Sequence, residues 1–124
     1  TTIEQQVQYK KNNVMFSKNK NVINLTAETF QQAIKEKLTL VDFWAEWCVP
    51  CRIQSPILEE VAAEMKDRVT IAKLNVEKFR DIASHYRISS IPTMLLFRNG
   101  KMIKQFVGIQ QKQTLLNTFD RMFI

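Results

Sequence analysis

The run Leu40-Val41-Asp42-Phe43-Trp44-Ala45-Glu46-Trp47-Cys48-Val49-Pro50-Cys51-Arg52 constrains the fold of this chain more than any other stretch. Leu38 to Ala45 is almost continuously apolar, as in a strand covered on both faces. From Pro50 to about Met65 the apolar residues Ile57, Leu58, Val61, Ala62 and Met65 recur at helical spacing. Pro56 lies inside that segment and is expected to kink it. A strand therefore feeds a helix, and Cys48 and Cys51, the only cysteines of the chain, stand at the junction. A Cys-x-x-Cys pair in that setting can open and close a disulfide.

The remaining sequence predicts elements of the same alternating kind. Val22 to Leu25 reads as a short strand, and Thr26 as the N-cap of a helix with Glu28 in its first turn. Phe30, Ala33 and Ile34 supply that helix's apolar face. Val69 to Val76 is a strand of β-branched content, and Ile82, Ala83 and Tyr86 mark a short helix. Thr93 to Phe97 and Met102 to Val107 are two strands, and Asn99-Gly100 between them signals a hairpin. Leu115, Leu116, Phe119, Met122 and Phe123 fall on one face of a last helix. The pattern predicts an α/β fold with a mixed sheet and helices on both faces.

Residues 1–20, rich in Lys, Asn and Gln, read as an N-terminal extension, a tail or a short helix with Ile3 and Val7 on one face; 21–124 read as one domain. Half of the net charge of +6 lies in that extension, from Lys10, Lys11, Lys18 and Lys20 against Glu4. No basic stretch is interleaved with aromatics, so nucleic acid is not an expected partner. No apolar run approaches the roughly 20 residues of a membrane span. The polar N-terminus lacks the apolar core of a signal peptide, although a first residue of Thr leaves a removed export or transit segment open.

Cys48 is placed where free amide donors at a helix start favour an anion, so its thiol is expected to be partly thiolate and to attack disulfides. Cys51, one turn further in, is expected to be more buried and to resolve the mixed disulfide. Pro50 suits a first helical turn, where its missing amide hydrogen costs nothing. A structural disulfide, two inert thiols, or a zinc site remain alternatives, the last short of ligands because His85 is the only histidine. Asp42 interrupts a strand of Leu, Val, Phe and Trp, so it is expected to be buried and harder to ionise. It either accepts the proton of Cys51 or serves as a structural acid paired with Lys73, which also interrupts a buried-looking strand. Ile91-Pro92 precedes an apolar strand, and a trans bond is the default from the residues alone. Trp47 abuts Cys48 and is expected to flank a binding surface; Trp44 lies deeper and can equally be core.

These residues, with Pro56-Ile57-Leu58, Ala72-Lys73-Leu74-Asn75, Ile91-Pro92-Thr93, Leu96-Phe97, Asn99-Gly100 and Val107-Gly108, make the chain resemble the thioredoxin family from about Val22 to Phe119. The resemblance implies a thioredoxin fold, a central mixed five-stranded sheet flanked by four helices. It implies a protein-disulfide reductase with Cys48 as nucleophile, Cys51 as resolving thiol, and Asp42 as buried proton acceptor with Lys73 beside it. It makes Pro92 cis and next to the dithiol, with substrate pairing to the backbone at Ile91 and resting on Trp47, Val49 and Pro50. The implied substrates are protein disulfides, and the implied electron donor is a thioredoxin reductase drawing on NADPH. No bound cofactor is implied beyond the redox-active Cys48–Cys51 disulfide. A cytoplasmic monomer is the expected form. The chain departs from the family pattern at Val49 and Ser90, where glycine is usual, at Arg52, where lysine is usual, and in its N-terminal extension. These departures keep an exported enzyme dedicated to a few partners as an alternative. A non-catalytic binding module is the other, set against the presence of both cysteines, Asp42 and Ile91-Pro92.

Overall fold

The strand that carries Asp42 is the middle of the sheet. The computed structural model describes residues 21–123. The expected tail or short helix over 1–20 lies outside the described residues. Five strands, β1 (Val22–Asn24), β2 (Thr39–Trp44), β3 (Thr70–Asn75), β4 (Thr93–Arg98) and β5 (Lys101–Val107), form one sheet in the order β1-β3-β2-β4-β5. β1, β3 and β2 run parallel, whereas β4 is antiparallel to β2 and β5 antiparallel to β4. Four helices accompany them: α1 (Ala27–Ile34), α2 (Val49–Met65), α3 (Arg80–His85) and α4 (Lys112–Met122). Over the described residues this is the mixed five-stranded sheet with four helices that the resemblance implies.

Two cores lie on the two faces of the sheet. Leu40, Ile71, Met94 and Leu96 pack with Leu58, Val61 and Met65 of α2 and Leu115 and Phe119 of α4. Val41, Phe43, Leu74, Leu95 and Phe97 pack with Phe30 and Ile34 of α1 and Ala83 of α3. The strict alternation of β2 between these clusters follows from the two-residue period of a strand. Asp42, two residues beyond Leu40, therefore points to the α2 side, and Lys73, two beyond Ile71, points the same way.

Local signals account for the ends of the elements. Thr26 caps α1 in a reciprocal pair with Thr29, whose backbone N–H it accepts at 3.3 Å and whose hydroxyl accepts the Thr26 N–H at 2.9 Å. Asn99 and Gly100 both have positive φ, 50° and 90°, which matches a type I′ hairpin between the paired residues Arg98 and Lys101. α2 continues through Pro56, which leaves the carbonyl of Arg52 without its helical donor. Phe123 departs from the expected apolar face of α4. It lies past the end of that helix, exposed, with the Arg68 guanidinium 4.4 Å from its ring centroid.

Candidate active site

Cys48 is the N-cap of α2, because β2 ends at Trp44 and the chain turns with the Cys48 N–H donating to the Ala45 carbonyl at 3.2 Å. The Arg52 guanidinium closes the same turn by donating to the Glu46 carbonyl at 2.9 Å. Cys48 and Cys51 are joined in a disulfide. The Cys48 Sγ accepts the backbone N–H of Cys51 at 3.2 Å, so a thiolate released at this sulfur already has a donor and the positive end of a helix beside it. Val49 and Pro50 form the first turn, where proline removes no helical hydrogen bond.

The expectation that Cys51 is the more buried thiol is corrected. Both cysteines are 3 % exposed in the disulfide form. What separates them is their surroundings. Cys48 Sγ lies 3.8 Å from the carbonyl oxygen of Ile91, towards the surface loop before β4. Cys51 lines a cleft of about 340 Å³ with Trp44, Ala45, Glu46, Arg52, Ser55 and Lys73 on the other side of the pair.

Asp42 is fully buried, as its sequence context predicts, and among the described residues no group hydrogen-bonds either carboxyl oxygen. Burial pushes its carboxyl from 3.8 up to about 7, against the opposing pull of the Lys73 ammonium. Lys73 is the direct cross-strand neighbour of Asp42. Its ammonium acts on Asp42 through charge across the strands, while its hydrogen bond goes elsewhere. Lys73 Nζ donates to Ser55 Oγ at 3.1 Å and sits 4.5 Å from the centroid of the Trp44 ring. The structure records no ion pair between Lys73 and Asp42.

The Ile91–Pro92 bond is cis, which overturns the trans default drawn from the residues alone and agrees with the resemblance. Pro92 is buried and Ile91 half-buried against the disulfide. The Gly108 N–H donates to the Pro92 carbonyl at 2.8 Å, so the end of β5 braces this loop. Trp47 is 62 % and Val49 60 % exposed, with Ile53, Val107 and Ile109 also exposed. The Trp47 indole N–H donates to Glu77 Oε2 at 2.6 Å. His85 stands apart from the dithiol, edge-on to Tyr86.

Sequence reasoning alone does not single out Ser55, Glu77 or Gln54. Gln54 carries the clearest missed signal, a polar residue on the stripe of α2 that buries Cys51, Leu58, Val61, Ala62 and Met65. Ser55 and Glu77 act on partners 18 and 30 residues away, contacts that no local pattern encodes.

Among the described residues no three His, Cys, Asp or Glu side chains gather as a metal site, and no helix is long and apolar enough to cross a membrane. A family model named Thioredoxin matches residues 21–121. A thioredoxin of Alicyclobacillus acidocaldarius is 50% identical over 94 residues, covering 75% of this chain and 90% of that protein. A thioredoxin of Rickettsia felis is 41% identical over 100 residues, covering 79% and 95%. The chloroplastic M-type thioredoxin of Chlamydomonas reinhardtii is 41% identical over 96 residues, covering 76% and 69%.

Proposed function

The chain belongs to the thioredoxin family and is a thiol–disulfide oxidoreductase that reduces protein disulfides; on that premise we propose the roles of its individual residues. Cys48 is the attacking thiol. Its thiolate forms a bond to one substrate sulfur, and the other substrate sulfur leaves as a thiolate. The Cys51 thiol then gives its proton to the Asp42 carboxylate and attacks Cys48 Sγ. The Cys48–Cys51 bond forms, the second substrate sulfur departs, and two electrons have passed to the substrate. The exchange needs no cofactor beyond that disulfide, because sulfur carries the electron pair directly.

The observation that carries this reading is the position of Cys48 Sγ, between the Cys51 N–H at 3.2 Å and the Ile91 carbonyl at 3.8 Å. The amide favours the thiolate, and the carbonyl belongs to backbone that an extended substrate segment can pair with. Trp47, Val49, Pro50 and Pro92 frame that segment. Lys73, held by Ser55, lowers the cost of charge at Asp42 from across the strand pair.

A thioredoxin reductase drawing on NADPH restores the dithiol, and the protein works as a monomer in the cytoplasm. Cys51→Ser leaves attack intact and removes resolution. The variant should therefore accumulate covalent complexes with substrate proteins through Cys48, visible on non-reducing gels and absent from Cys48→Ser. A Cys51→Ser protein that traps nothing, beside a wild type that turns over, would remove Cys48 from the nucleophile's role.

A further inference from the structure

Gln54 is fully buried on α2, one turn beyond Cys51, and both ends of its amide are engaged by a single distant residue. Its Nε2 donates to the Gln110 carbonyl at 3.1 Å, and its Oε1 accepts the Gln110 backbone N–H at 2.7 Å. One side chain thus satisfies both backbone groups of Gln110, as a neighbouring strand would. The Gln110 side chain turns back within the same loop, donating from Nε2 to the carbonyls of Val107 and Gly108 at 3.3 Å. The loop that follows β5 is closed on itself and clamped to the dithiol helix.

That loop borders the disulfide. The Gly108 N–H holds the Pro92 carbonyl, and Val107 is the cross-strand partner of Thr93. Val107 at the end of β5 and Ile109 on the loop expose apolar side chains, as Val49 and Ile53 do on α2. Both elements therefore carry exposed apolar side chains, and Gln54 is a direct polar link between them. An apolar residue at this position would fill the core equally well, but it would leave two backbone groups of the loop unpaired.

We infer that Gln54 is a positioning residue for specificity: it locks the Val107–Gln110 loop to α2, pre-forming an apolar rim on which the protein segment flanking a target disulfide docks. This rests on the docking groove described under the proposed function. A pre-formed rim matters for a protein substrate, which must cover it, and not for a small disulfide, which needs only the sulfur of Cys48. Without the clamp the loop has to be ordered at each encounter, and that cost falls on substrate binding.

The test uses the pre-reduced full chain in single turnovers against insulin and against 2-hydroxyethyl disulfide. Gln54→Met keeps the buried volume and removes both amide contacts. The half-saturating insulin concentration should rise about fivefold, the order expected when one or two ordered residues become mobile. The maximal rate with insulin and the second-order rate with the small disulfide should stay within twofold. Amide hydrogen exchange at Gln110 should accelerate by tenfold or more. Gln110→Ala, which loosens the same loop without touching the core, should shift insulin saturation in the same direction. If Gln54→Met does not fold, exchange at Gln110 in the wild type decides the matter: protection like that of the buried α2 amides is expected, and exchange as fast as at an exposed loop amide overturns the clamp. The inference is overturned by unchanged insulin saturation, by unaltered exchange at Gln110, or by equal losses towards both substrates. A wild type that fails to reduce insulin at all contradicts the functional reading instead.

Discussion

Asp42 illustrates how one residue is set by two opposing effects. Complete burial, with no hydrogen-bond partner among the described residues, raises its carboxyl to about 7, and the Lys73 ammonium limits the rise. Between the ordinary value of 3.8 and about 7 the folded protein holds a proton that the unfolded chain has released. Stability from this group is therefore lost as pH rises through that window, by roughly 4 kcal/mol in total. Asp42→Asn has no such proton. Urea unfolding of the oxidised proteins at pH 4 and pH 8 should show the variant gaining several kcal/mol on the wild type as pH rises. An equal difference at both pH values would contradict a buried, protonated carboxyl. In stopped-flow experiments the same substitution should slow release of the reduced substrate more than initial attack. It should also remove the pH dependence of that release near 7. The placement of two residues is legible in the sequence: an acid within Leu-Val-Asp-Phe-Trp announces its burial, and Cys48 announces its helix start. The destination of Lys73 is not, because Ser55 becomes its partner only once α2 packs on β3.

At the scale of elements, the chain places chemistry at one end of the sheet and tight turns at the other. β2 delivers Cys48 beyond Trp44, whereas the Asn99-Gly100 hairpin lies beyond the Thr39 end of the same strand, where Thr39 pairs with Phe97. Gly100 has a φ of 90° and a Cβ there would touch nothing within 4 Å. Gly100→Ala should therefore lose about 1–2 kcal/mol through backbone conformation alone. Its turnover of protein disulfides should match the wild type at temperatures where both are folded. A loss of turnover without a loss of stability would show that the two ends of the sheet are coupled. Strands, the Thr26 cap and the hairpin could be read from local pattern because short-range rules govern them: two-residue alternation, a capping hydroxyl, positive φ at Asn-Gly. The clamp between Gln54 and Gln110 spans 56 residues and follows no such rule. In the sequence it appears only as a polar residue where the α2 stripe calls for an apolar one.

At the largest scale, residues 21–123 form a sheet with a core on each face and the disulfide just beyond the end of its central strand. Family membership fixes the reaction; direction depends on how strongly the pair holds its electrons. Val49 stands beside Cys48 where the family usually has glycine, and it is 60 % exposed, at the surface and not in the core. The measurement that tests the account most directly is the reduction potential of the Cys48–Cys51 pair, by equilibration in defined thiol buffers with alkylation of the free thiols. The account predicts about −270 mV, the poise of thioredoxins. A value of about −180 mV or higher would contradict the account, because such a pair takes electrons from protein thiols and does not supply them.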